Sequence, residues 1–255
     1  MPFRAWSSSC ARNRPDAERF RDLLGRLEGY LLIRIDGKHR MKHCFDSSIA
    51  LAKPASHMRD RNGLRENVLL ALRRVSQEAA AAQNAEQALW TVTRTLPSLL
   101  GNRSADHRLG EPASAAAAFM ATPDRQHHLI TAPVNFRPEQ YHELVAIDLG
   151  HPGIVARTRR PIFLADTGHH ESFVKILQTF RAGSAMQWPM LWKGDYLGAL
   201  ICANAARGAF EELDFEAMEA FAALAAAVWL AHDGPAWLCS IDYERLPVRR
   251  AEPSR

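Results

Sequence analysis

From Leu64 onward the chain alternates between helical and strand-like hydrophobic patterning. Leu64, Val68, Leu72, Val75, Ala79 and Ala82 recur at steps of four and three, an apolar stripe that predicts a helix. The stripe suits two roles: packing onto its own domain, or a parallel helix pair between two protomers. Asn84 stands where an N-cap belongs, and Gln87 completes a capping box. A second helix therefore runs through "AEQALWTVTRTLPSLLG", with Leu89, Val92 and Leu96 on one face. Pro97 is awkward inside it, and Gly101 stops it.

Strand-like runs follow. "ASAAAAFMATP" and "QHHLITAPVNF" flank Asp124-Arg125 and predict a hairpin, although the alanine run is equally compatible with helix. "PEQYHELVAID" suits a short helix. Gly153-Ile154-Val155 begins a helical turn, and Pro161 opens a strand over 162–165. Residues 167–182 read as a loop leading into a helix. In "SAMQWPMLWKGDYLGALICAN" two apolar runs flank Lys193-Gly194-Asp195, a hairpin whose strands are apolar on both faces. That pattern belongs to central strands covered on both sides. Gly194 is free to take positive φ in the turn, and Gly198 leaves room for a close neighbour. Alternation sends Ala185, Gln187 and Pro189 one way, and Met186, Trp188 and Met190 the other. "FEELDFEAMEAFAALAAAVWLAHDG" is the strongest helix, acidic at its start and stopped by Gly234-Pro235. The sum is an α+β domain with helices at its two ends.

Charge changes the picture of the N-terminus only. The 255 residues carry a formal net charge of +4. Residues 1–65 hold 14 Lys/Arg against 7 Asp/Glu, and the remainder 18 against 21. The basic character therefore belongs to the first quarter, which reads as a solvated, poorly ordered extension over 1–62. Translation from Met41 or Met58 is an alternative account of it. The body offers no nucleic-acid surface. No apolar run reaches the roughly 18 residues of a membrane span. Cys10, Cys44, Cys202 and Cys239 lack CxxC spacing, which fits a reducing cytoplasm rather than a zinc site or a disulfide scaffold.

Residues 102–232 resemble the GAF domain, a small-molecule sensing module related to PAS. Helix 84–100 resembles its opening helix. "GHPGIVARTRRPIFLAD" is similar to the family stretch in which a glycine-containing helical turn precedes a strand ending in aspartate. Ser184, Pro189, Gly194, Leu197, Gly198 and Leu200 fall on the patterned positions of the family hairpin, and Phe210 and Asp214 on an F-x-x-x-D pattern before the closing helix. The resemblance implies a central antiparallel sheet of five to six strands, with helices on one face and a ligand pocket on the other. It divides the chain into the extension 1–62, a linker or dimerisation helix 63–83, the domain 84–233 and a tail 234–255.

The same resemblance implies a bacterial, cytoplasmic sensor that binds a small molecule and signals through a homodimer or a partner protein, since only a short tail follows residue 232. Family ligands sit between the sheet and the segments that correspond here to 137–182. That region and the hairpin supply the candidate ligand residues Tyr141, Phe163, Asp166, His169, Phe173, Arg181, Gln187 and Trp188, with His142, His151, His170 and Phe180 nearby. His169-His170 offers a haem or metal ligand or, more simply, solvated loop histidines; the ligand itself is left unidentified. A buried Gln187 must find partners, either a polar ligand group or a neighbouring backbone or water. Asn204, Phe210 and Asp214 match part of a cyclic-nucleotide signature, but Ala205 and Phe215 replace its lysine and acid. Free-methionine-sulfoxide reductases cluster cysteines around the pocket, whereas only Cys202 lies within this domain. Two alternatives stand beside the sensor: an interaction module with no ligand, and a small enzyme using His169, His170 or Asp166.

Overall fold

The computed structural model describes residues 61–101, 112–169 and 174–249. The basic extension, apart from its last two residues, lies outside them.

Six antiparallel strands form one sheet: β1 (Ser114–Ala121), β2 (His127–Val134), β3 (Leu144–Ala146), β4 (Ile162–Leu164), β5 (Ser184–Trp192) and β6 (Asp195–Asn204), in the order β3-β2-β1-β6-β5-β4. The central pair β1 and β6 runs in unbroken register from Ser114 opposite Asn204 to Met120 opposite Gly198. Gly198 is required there, because a Cβ on it would stand 2.4 Å from the carbonyl oxygen of Phe119. The alanine run is strand. Its small side chains let a helix lie close on one face: Ala116, Ala118 and Met120 join the helix-facing core, while Ala115, Ala117 and Phe119 belong to clusters on the other face. The β5–β6 turn places Lys193 at φ 50 and Gly194 at φ 85, the twist that matches a two-residue hairpin.

Helices α2 (Ala85–Leu99) and α4 (Glu212–Ala231) cover one face of the sheet, and α1 (Arg61–Ala80) packs on both of them. Asn84 caps α2 by accepting from the Gln87 amide at 2.8 Å, and the Gln87 side chain accepts from the Gln83 amide at 2.6 Å. Pro97 lies inside the last turn of α2 and cannot donate to the Thr93 carbonyl, so the helix runs past it to Leu99 with one backbone hydrogen bond fewer. Asp214 is fully buried and accepts from the amides of Gly101 and Glu211, tying the end of α2 to the start of α4. Leu89, Leu96, Met186, Met190, Phe221 and Trp229 fill the space between helices and sheet. Burying side chains of this size contributes about 1.5–3 kcal/mol each.

The stripe on α1 packs on its own chain. Leu64, Val68, Ala71, Val75 and Ala79 are buried against α2 and α4, and the His232 ring meets the carbonyl oxygen of Ala79 at 2.7 Å. Of the two roles the stripe suits, these contacts support packing on its own domain.

Three other expectations change. Residues 138–146 form a single helical turn, Pro138–Gln140, followed by strand β3, because edge pairing with β2 and burial of Leu144 and Val145 outweigh the helical spacing. Residues 174–182 are extended rather than helical. Their backbone is held from outside by the Gln140 side chain, which donates to the Ile176 carbonyl at 2.8 Å and accepts from the Gln178 amide at 3.1 Å. Finally, Gly234 ends one helix only to begin another, α5 (Gly234–Cys239). That turn brings Trp237 edge-on to Trp229 with ring centroids 5.6 Å apart.

Candidate functional site

The sheet face away from α1, α2 and α4 is covered by α3 (Gly150–Thr158) and by the connections between strands. Between sheet and cover lies a cavity of about 50 Å³. Its floor is the outward face of three neighbouring strands: Ala115 and Phe119 of β1, Ile201 and Ala203 of β6, Ala185 and Gln187 of β5. Small alanines at three of these positions leave the space that larger side chains would fill. His151 and Pro152, in the first turn of α3, form one side. Phe136 and the extended segment with Val174, Ile176, Leu177 and Ala182 form the outer wall. At roughly 10–15 Å³ per water, the volume accommodates a few water-sized groups.

The walls are apolar with two polar interruptions, Gln187 and His151, both nearly inaccessible to solvent. Oε1 of Gln187 is buried and has no hydrogen-bond partner in the protein. Leaving such an acceptor unsatisfied costs about 1–3 kcal/mol. No charged side chain lines the cavity among the described residues.

Of the eight residues singled out from sequence, Gln187 lines this cavity. Trp188 and Phe163 do not. Alternation along β5 turns Trp188 toward the helices, and the register of β4 on β5 sets Phe163 opposite Met186 on that same face, where its ring meets Phe215 at 4.5 Å. Tyr141 is an exposed surface residue whose hydroxyl donates to Glu86 at 2.8 Å; the same carboxylate takes His142 at 2.8 Å. Asp166 lies outside the cavity lining, accepts from the Gly168 amide at 2.8 Å and pairs with Arg207 at 3.2 Å. Arg181 is exposed beside Gly168. His169 closes the turn Thr167–His169 and is described by its backbone alone; His170 and Phe173 lie outside the described residues. His151, named beside the candidates, lines the cavity, whereas Phe119, Phe136, Ile176 and Leu177 are among the lining residues that sequence reasoning left out.

Cys202 belongs to the helix-facing core, away from the cavity, and burial pushes its thiol well above the ordinary range. Asn204 is structural: its amide donates to Ser114 Oγ at 2.9 Å and its carbonyl accepts from the Ala206 amide at 2.8 Å. Among the described residues no three His, Cys, Asp or Glu side chains converge as a metal site would need. No described helix is long and apolar enough to cross a membrane.

On the same face, beneath α3, a second buried polar pair closes the sheet. His128 is fully buried on β2, with its Nε2 2.9 Å from the hydroxyl of Tyr196. Burial, then the nearby Arg125 charge, lowers the His128 pKa to about 3, so the ring is neutral in the fold.

Comparison with known proteins agrees with this architecture. Residues 84–229 match the family model described as GAF domain. The GAF domain of a phosphoenolpyruvate-protein phosphotransferase from Coxiella burnetii superposes with a TM-score of 0.57 at 26% identity, over 67% of this chain and 98% of that one. The corresponding domain from Acinetobacter gives 0.55 at 16% identity, over 65% and 94%. A free methionine-R-sulfoxide reductase from Neisseria meningitidis, in complex with its substrate, gives 0.53 at 13% identity, over 73% and 98%. No curated protein matches the sequence. With more than half of its length matched and a six-stranded antiparallel sheet carrying helices on one face, the chain belongs to the GAF domain family.

Proposed function

We propose that the chain is a regulatory sensor whose ligand is a small, neutral, largely apolar molecule with a hydrogen-bond donor. The observation that carries this is the Oε1 of Gln187: a buried acceptor with no protein partner, on the floor of an apolar cavity. A donor on the ligand would satisfy it, and the phenyl and aliphatic walls would take the apolar remainder. Among the described residues no Lys, Arg, Asp or Glu lines the cavity, which favours a neutral compound over an anionic nucleotide or carboxylate. The similar GAF domain from Coxiella burnetii comes from a phosphoenolpyruvate-protein phosphotransferase, which fits the reading of this chain as a regulatory module.

The fold offers a route from ligand to output. Gln187 faces the cavity while its neighbours Met186 and Trp188 face the helices, so a shift of β5 on binding moves side chains packed under α4. α4 in turn holds α1. A ligand that favours one position of this helical layer biases whatever protein surface reads it, a partner or a second copy of the chain. The reductase reading is disfavoured: the described cysteines are Cys202, turned away from the cavity, and Cys239, exposed on α5.

Native mass spectrometry of the gently purified full chain tests the proposal. The expected spectrum carries one bound small molecule per chain, and Gln187→Leu weakens its retention roughly ten- to hundred-fold, as loss of one buried hydrogen bond does. A bound compound that Gln187→Leu retains equally well would contradict it. So would a bare chain that takes up no small amide or alcohol from a panel, the outcome expected of a pure interaction module.

A further inference from the structure

We propose that residues 247–249, near the C-terminus, are a strap that holds the outer wall of the cavity shut, so that ligand binding and release of this segment are coupled. The inference rests on the cavity being the ligand site.

The strap is attached at the edge of the sheet. Pro247 accepts from the Leu144 amide at 2.7 Å, and the Arg249 amide donates to the Leu144 carbonyl at 2.7 Å, so Val248 lies parallel beside β3. A short segment with two ladder bonds is easily displaced on its own. Its fixing comes from the Arg249 side chain, which pairs with Glu143 at 3.0 Å; the two side chains are only 10% and 12% exposed. The same guanidinium donates to the carbonyl oxygen of Lys175 at 3.4 Å, directly on the wall segment.

Glu143 also carries the contact onward. Its Oε2 accepts from Gln140 Nε2 at 3.5 Å, and Gln140 holds the wall at Ile176 and Gln178. Residues 174–178 have no ladder or helix of their own, so these side-chain bonds stand in for secondary structure. Val174, Ile176 and Leu177 point from that segment into the cavity lining. Arg249, Glu143 and Gln140 thus form one polar chain from the sheet edge to the wall.

The cavity as closed takes only a few atoms. A larger ligand must displace residues 174–178, which loosens the contacts to Gln140 and Arg249. Coupling of this kind is reciprocal: a ligand that moves the wall frees the strap, and a partner that captures the strap opens the wall.

Hydrogen–deuterium exchange of the full chain tests the strap without a ligand. In Arg249→Ala the amides of 175–178 should exchange roughly ten- to hundred-fold faster than in the wild type, with amides of α4 unchanged. Arg249→Lys, which keeps a cationic donor for Glu143 and the Lys175 carbonyl, should retain most of the protection, which separates loss of the strap from general loosening. Acetamide, a neutral amide able to donate to Gln187, serves as the cavity probe and should associate faster with Arg249→Ala. Unchanged exchange at 175–178 in Arg249→Ala, or an equal loss of protection in Arg249→Lys, overturns the strap. A probe that enters neither protein while exchange still responds overturns the ligand reading and leaves the strap supported.

Discussion

Gln187 and His128 are both buried polar residues on the same face of the sheet, and they make opposite predictions. In the ligand-free protein the unpartnered Oε1 of Gln187 is a cost. Gln187→Leu should therefore raise the unligated melting temperature by a few degrees, about 1 kcal/mol for a chain of this size. Scanning calorimetry checks this, and a fall of similar size would mean that the amide is satisfied in the free state. For His128 the sign follows from proton counting. The unfolded ring titrates near 6.5 and the folded one near 3, so between those values the unfolded state binds the extra proton. Stability should be flat in this contribution above pH 6.5 and fall as pH drops toward 3, by up to about 1.4 kcal/mol per pH unit. Urea unfolding from pH 7 to pH 4 reads it, and His128→Phe should flatten the curve. Residue roles were legible only where alternation was clean. Alternation separated Gln187 from Trp188, and the structure puts the first on the outward side of β5 and the second toward the helices, so the two never share a wall. His151 and Phe119 carried no such signal: one begins a helix and the other ends an alanine run with no polar contrast.

At the scale of elements, the best-read pieces were those whose sequence satisfies local and tertiary demands together. The β5–β6 hairpin combines two-sided apolar strands with a Lys-Gly turn, and α2 begins on the Asn84 N-cap, with the Gln87 side chain bonding the Gln83 amide rather than closing the expected capping box. Misread pieces are those where partners elsewhere decide. β3 exists because β2 offers an edge, and the stretch 174–182 stays extended because Gln140 supplies its hydrogen bonds. Helix α1 is the instructive case, since its stripe fitted either an intrachain or an interchain surface, and its burial on α2 and α4 supports the first. Val75 is fully buried there. Val75→Ala should cost about 2 kcal/mol, and the urea midpoints of variant and wild type should not depend on protein concentration. A midpoint that rises with concentration would mean that the stripe is shared between protomers.

For the whole molecule, the sheet separates two environments. One face is a dense helical core built on Phe221, Trp229 and the methionines. The other is a thin cover of one short helix, an extended wall and a C-terminal strap around a small cavity. Core and cover differ in how they are held, one by apolar packing and the other largely by side-chain hydrogen bonds to backbone. The cover is therefore the part expected to open first. That division was readable in outline from the order of elements, but the cavity was not, because its lining comes from six segments that only the folded sheet brings together. The central claim is that this cavity takes a small neutral ligand against Gln187. The most direct measurement is an amide chemical-shift map of the full chain during acetamide titration. Saturable shifts at Ala115, Gln187, Ile201 and residues 174–178, abolished by Gln187→Leu, are the predicted result. Shifts confined to exposed surfaces, or none that saturate, would contradict it.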